Sequence, residues 1–206
     1  MSQFFHIHPI NPQPRLIREA VRIIRAGGVI IYPTDSAYAL GCRLVDKDAV
    51  DRIRKIRQLD ARHHFTLVCR DLSEISTYAK VDNHTFRLLK RLTPGPYTFL
   101  LDATKEVPKR LQHAKRKTIG VRIPDCQITL DLLTELHEPL MSCTLILPGE
   151  NVPMVDPEEM WQHLGSQVDL VIDGGVCGIQ PTSVIDLHSG TPVVVRQGKG
   201  DVKAFF

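Results

Sequence analysis

Apolar segments of two different periods alternate along almost the whole chain, and few architectures accept that order. Short runs rich in β-branched residues read as strands at 29–32, 65–69, 97–103, 118–124, 139–147, 168–173, 182–187 and 191–196. Between them lie segments of helical period. The first places Leu16, Ile17, Ala20, Val21 and Ile24 on one stripe after Pro12 and Pro14 and stops at the glycine pair 27–28. Further helices are expected over 46–59, 71–78, 83–92, 127–137 and 156–164. The last of these starts with Asp156 as N-cap and Pro157 in the first turn. Alternation of this kind predicts an α/β fold with helices packed on a mixed sheet. No linker or repeat interrupts it, so a single domain over 1–206 is expected.

Composition narrows the partners. Lys and Arg number 26 against 23 Asp and Glu, a formal charge of +3, so any anionic partner must be met by a local patch. Arg15, Arg18, Arg22 and Arg25 share the outer face of the first helix, where a solvated face is the default reading. Five cysteines at wide spacing, with no C-x-x-C, indicate neither a disulfide framework nor a zinc site. His6 and His8 share one side of a strand but lack a third ligand, so no metal site is expected from them. The N-terminus has no signal-peptide pattern, and no run reaches the ~18 apolar residues of a membrane span. A cytoplasmic protein without membrane contact is expected. P-loop, Rossmann and G-x-S-x-G motifs are all missing.

Several strand ends carry groups suited to a ligand. The stretch GGVIIYPTDSAYALG passes abruptly from buried strand to Pro33, Thr34, Asp35 and Ser36. In KIR, Lys55 and Arg57 converge on one side if the helix ends near Lys55, a pairing suited to a polyphosphate. Arg122 interrupts the apolar TIGVRIP, where an unpaired charge is costly, so it must reach solvent, a carboxylate or a ligand. Arg196 ends PVVVR in the same way, and Thr182, Ser183 and Asp186 repeat the hydroxyl-rich theme. A basic surface segment, 104–117, lies beside them in sequence. Strand ends of an open α/β sheet are where ligands bind. Spacing alone supports an anionic small molecule or a nucleic acid backbone.

Taken in chain order, GGVIIYPTDSAYALGC, KIR, PGPYTFLL, TIGVRIP, DGGVCGIQPTSVID and VVVRQG resemble the YrdC-like family, whose members make threonylcarbamoyl-AMP for tRNA modification. The resemblance covers nearly the whole chain and implies a YrdC-like twisted mixed sheet with a basic concave surface. It implies that bicarbonate and L-threonine give a carbamate, which attacks the α-phosphorus of ATP and releases pyrophosphate. On this resemblance Lys55 and Arg57 bind phosphate and are catalytic, with Thr144 and Arg196 completing an ATP site. Thr34, Arg122, Thr182 and Ser183 fall on the substrate side, Arg122 as the arginine that would hold a carboxylate. Mg2+ is expected to arrive bound mainly to the phosphates.

The chain departs from the family pattern at three polar or special positions. Thr144 stands for the serine of the P-S-A-N segment and keeps a hydroxyl, whereas Ile146 stands for its asparagine. Cys69 replaces a histidine, and Ala39 the glycine after tyrosine. Three functions fit this record. A weak or divergent threonylcarbamoyl-AMP synthase is expected first. The alternatives are a double-stranded RNA or tRNA binding protein without that activity, and a carbamoyl- or acyl-adenylate enzyme with a different substrate. The last is as in the YrdC-like domain of hydrogenase maturation carbamoyltransferases.

Overall fold

The computed structural model describes residues 2–60, 63 and 65–205; His64, to which sequence assigned no role, lies outside them. The chain opens with strand β1 (Gln3–His6), helix α1 (Pro14–Arg25), β2 (Ile30–Tyr32), β3 (Ala39–Arg43) and α2 (Lys47–Arg57). β4 (Thr66–Val68), α3 (Leu72–Tyr78), α4 (Asn83–Leu92), β5 (Tyr97–Asp102) and β6 (Thr118–Arg122) follow. Then come α5 (Gln127–Leu136), β7 (Leu140–Thr144), α6 (Pro157–Leu164), β8 (Leu170–Asp173), β9 (Ser183–Asp186) and β10 (Val193–Arg196). Among the described residues the ten strands form one mixed sheet in the order β1-β8-β2-β3-β7-β4-β6-β5-β9-β10. β3 is the strand that sequence did not anticipate. It pairs antiparallel with both β2 and β7, so its Ala39-Leu40-Gly41-Cys42 run is buried on both faces and shows no polar alternation.

Strand period decides what each face of the sheet carries. Ile31, Leu40, Leu67, Phe99, Val121 and Ile185 point to one side, where α2, α3, α4 and α6 close a large core with Ile53, Ile75, Leu89 and Met160. Tyr32, Ala39, Val68, Leu140 and Ile172 point to the other, under α1 and α5. There α1 buries Ile17, Ala20, Val21 and Ile24, the helical stripe expected from sequence. Each such Ile contributes roughly 1.5–3 kcal/mol. α1 and α5 reach only as far as Val68 on that second face. Beyond them the same strands present Thr66, Gly120, Ser142, Thr144, Thr98 and Leu100, and this uncovered stretch is the floor of a cavity.

Two basic features are more engaged than sequence suggested. Of the α1 arginines, Arg22 pairs with Glu19, and Arg25 donates to the carbonyls of Glu135 and Leu136 at the end of α5. The segment 104–117 is not a loose surface stretch. A 3-10 turn at Lys109–Leu111 buries Leu111 with Val107, and Arg110 donates to the carbonyls of Leu44 and Val45. No helix among the described residues is long and apolar enough to cross a membrane.

Candidate functional site

The cavity has a volume of about 270 Å³, and among the described residues Arg57, Arg122 and Arg196 are the charged groups in its wall. Hydroxyls of Thr34, Ser36, Thr66, Thr98, Ser142, Thr144 and Thr182 surround them, while Leu100, Ile146, Val184 and Val195 give part of the wall an apolar lining.

The opening loop is built by Thr34. Its Oγ1 donates to Ala37 O (2.6 Å) and accepts from the amides of Ser36 and Ala37 (3.2 Å each), a side-chain turn that holds the polar cluster in one shape. Arg122 reaches this loop from β6. Its Nη2 is ion-paired with the Asp35 carboxylate, its Nη1 donates to Ser36 Oγ (3.3 Å), and the other Asp35 oxygen accepts the Asp125 amide (3.1 Å). Both charged side chains of the pair are only 8% exposed. The carboxylate that Arg122 was expected to hold is therefore supplied first by the protein itself. Arg122 Nε is buried without a hydrogen-bond partner.

The KIR reading is corrected at its first residue. α2 runs through Arg57 and ends when Gln58 turns left-handed (φ 48°), with Leu59 N donating to Arg54 O (3.0 Å). Residues two apart on a continuing helix do not share a face. Lys55 is accordingly exposed and outside the cavity wall, whereas Arg57 turns inward and leaves its Nε buried without a partner. Beside it lies Cys143, whose Sγ is 3.6 Å from His63 Nε2. Burial pushes this thiol upward, against a smaller opposing effect of the Arg57 charge.

At the far wall, Arg196 donates from Nε (3.1 Å) and Nη2 (2.9 Å) to Thr182 O, and Thr182 Oγ1 shares a hydrogen bond with Thr98 Oγ1 (2.8 Å). Desolvation lowers the Arg196 pKa from the usual arginine value. Ser183 is not part of the wall. It is fully buried, donates to Gly200 O (2.6 Å) and accepts the Gly198 amide (2.9 Å), so it anchors a loop rather than facing a ligand. Arg122 has its charge balanced by Asp35; among the described residues neither Arg57 nor Arg196 has a carboxylate in ion-pair range.

Thr66, Thr98 and Ser142 were not singled out from sequence, and Ser36 was marked there only as part of the polar cluster after the first buried strand. Ser142 could have been, because it precedes Thr144 by two residues in an apolar strand and so shares its face. It is held by the buried Tyr32 hydroxyl (2.7 Å), whose pKa desolvation pushes up to about 12. Gly120 makes the floor possible. A Cβ there would stand 2.9 Å from Thr66 Oγ1, 3.0 Å from Phe65 O and 3.2 Å from Thr98 Cγ2. Gly120→Ala is expected to destabilise the fold by about 1–3 kcal/mol through overpacking, read as an earlier midpoint in urea unfolding.

The Sua5/YciO/YrdC family profile, described as telomere recombination, matches residues 22–198. The chain is 61% identical over 205 residues to the uncharacterized protein YciO of Escherichia coli K12, covering all of both. The crystal structure of E. coli YciO matches with a TM-score of 0.97, again over the whole of both chains. The threonylcarbamoyl-AMP synthase of Pyrococcus abyssi is 29% identical over 196 residues, which are 92% of this chain and 57% of that protein. The crystal structure of P. abyssi Sua5 complexed with L-threonine matches with a TM-score of 0.88 at 26% identity, over 96% of this chain and 58% of that one.

Proposed function

This chain belongs to the Sua5/YciO/YrdC family, and from that premise we propose that its cavity takes ATP and L-threonine and makes threonylcarbamoyl-AMP, inefficiently, as a step in tRNA modification. The observation that carries this reading is the convergence of Arg57, Arg122 and Arg196 on one hydroxyl-lined cavity, where among the described residues only Arg122 of the three has a carboxylate partner. An anionic ligand entering there meets guanidinium charge that the protein has not neutralised, and charge-assisted hydrogen bonds are roughly twice as strong as neutral ones. Support comes also from P. abyssi Sua5, whose structure was solved with L-threonine.

In this scheme the amino nitrogen of threonine attacks the carbon of bicarbonate, a C–O bond breaks and water leaves, giving a carbamate. A carbamate oxygen attacks the α-phosphorus of ATP, and the bond to pyrophosphate breaks. Arg57 and Arg196 supply positive charge where the phosphoryl oxygens gain negative charge, which is the main protein contribution to such transfers. Thr34, Ser36 and Arg122 hold the amino acid at the opening loop, and Thr144 and Thr182 offer hydroxyls to the nucleotide. Among the described residues no cluster of three or more His, Cys, Asp or Glu could hold a metal ion, so magnesium would be supplied with the ATP phosphates and would add positive charge there.

The test is pyrophosphate release from ATP and bicarbonate, with and without L-threonine. Arg57→Ala is expected to lower the threonine-dependent signal about a hundredfold or more. Lys55→Ala should lower it by about tenfold or less, since an exposed lysine acts only as a mobile point charge. No threonine-dependent release by the wild type, beside an active family member, overturns the reading. The apolar lining of Ile146, Leu100, Val184 and Val195 favours a second reading, an adenylate enzyme for an amino acid with an aliphatic side chain. Release stimulated by valine or isoleucine but not threonine would select it. The RNA reading draws less support, because Arg22, Arg25 and Arg110 are tied within the fold.

A further inference from the structure

Lys199 lies outside the residues assigned above, yet it reaches the loop whose Thr34 and Ser36 line the cavity. Its ammonium donates to the backbone carbonyl of Asp35, in the loop that carries Thr34 and Ser36. Its own backbone belongs to the opposite rim. Lys199 N donates to Pro181 O (2.9 Å), Gly198 N donates to Ser183 Oγ, and Tyr97 Oη donates to Asp201 O (3.0 Å). A Cβ on Gly198 would stand 2.2 Å from Pro181 O, so this loop sits directly on the chain that leads into Thr182. The base of Lys199 is thus fixed while its exposed four-carbon stem is free to swing.

The partner it has chosen is a poor one for a full charge. The carboxylate of the same residue, Asp35, is already occupied by Arg122 Nη2 and the Asp125 amide. Lys199 is left with a neutral carbonyl, and among the described residues it has no carboxylate in ion-pair range. An ammonium carries three donors, so a stronger acceptor arriving at the mouth competes for it readily.

Resting on the nucleotide reading of the cavity, we propose that Lys199 is its mobile third cation. In the empty protein it joins the two rims through Asp35 O. When a polyphosphate enters, the ammonium leaves that carbonyl and binds phosphate oxygens beside Arg57 and Arg196. It thereby adds affinity for the anionic part of the ligand and none for the nucleoside. This also gives Ser183 a role, as the residue that positions the loop bearing Lys199.

The test measures binding of ATP, inorganic tripolyphosphate and adenosine by titration calorimetry to the wild type, Lys199→Met, Lys199→Arg and Arg57→Ala. Lys199→Met is expected to weaken ATP and tripolyphosphate about tenfold, to leave adenosine unchanged and to flatten the salt dependence of ATP binding. Lys199→Arg should recover most of the loss. The exposed position keeps the variants folded, which their thermal midpoints will check. If Lys199→Met binds ATP as the wild type does while Arg57→Ala is weakened, the mobile-cation proposal is wrong and the nucleotide site stands. Wild type that binds neither ATP nor tripolyphosphate overturns both.

Discussion

Replacing Asp35 with alanine will lower the thermal midpoint by on the order of 10 °C, and its loss will be felt more in stability than in any single contact. Arg122 and Asp35 are both 8% exposed, so removing the carboxylate leaves a guanidinium stranded inside the protein. Breaking one partner of such a buried pair costs about 3–5 kcal/mol. In a chain of this size each kcal/mol moves the midpoint by about 2–4 °C. The same change frees the Asp125 amide and leaves the weaker bond from Arg122 Nη1 to Ser36 Oγ to tie the opening loop to β6. Removing the charge as well should recover much of the loss, since a dry pair replaced by apolar side chains is often nearly neutral. Asp35→Ala with Arg122→Met is therefore expected to melt well above Asp35→Ala alone. Calorimetric scans of the wild type, both single variants and the double variant close the cycle. A single variant melting within about 2 °C of wild type would show that water reaches the pair and that the loop is held some other way.

The pair also marks the limit of what the sequence could tell. Arg122 was recognisable as a charge in an apolar strand, and Asp35 as part of a polar cluster after one. Nothing in either neighbourhood says that the two meet, because they are 87 residues apart and only the sheet order brings their strands to one rim. The same holds for Ser183, whose hydroxyl is consumed by Gly198 and Gly200. Its position in a hydroxyl-rich stretch resembles a ligand contact until the returning chain is placed. The mixed sheet with helices was legible from periodicity, since it depends on local alternation. The missed strand was not, because β3 is covered on both faces and Gly41 breaks its apolar run. That glycine has a local reason of its own: a Cβ there would stand 2.7 Å from Cε1 of the Tyr32 ring.

Lys55 and Arg57 show a subtler failure. Their usefulness as a pair depended on where α2 stops, and helix ends are the least certain part of any sequence reading. Three basic residues in the last turn suit the negative end of the helix dipole, which favours carrying the helix on to Arg57. One residue then faces the cavity and the other faces water. On the proposed function, the chemistry expected of two fixed cations falls on Arg57, aided by Arg196 from β10.

Ile146→Asn is expected to raise threonine-dependent pyrophosphate release by about ten- to a hundredfold. Ile146 follows β7 in the cavity wall, half-buried, with its amide donating to Thr144 O (3.1 Å), so the backbone already presents this position to the ligand. Where the family pattern places an amide side chain, this chain offers only hydrocarbon, and a lost hydrogen bond to a charged group costs ~1.5–3 kcal/mol. Restoring it in the transition state gives the stated factor in rate. The cost to stability should stay small because Ile146 is half-buried and lines the cavity rather than the core. Assays on the variant should include ATP with threonine, valine and isoleucine, and Arg57→Ala in the same background should abolish the gain. A variant no faster with threonine, but slower with an aliphatic amino acid that stimulates the wild type, carries the opposite meaning. Ile146 would then be the contact that selects the substrate, and the departure from the family pattern would mark a change of substrate rather than a loss of rate.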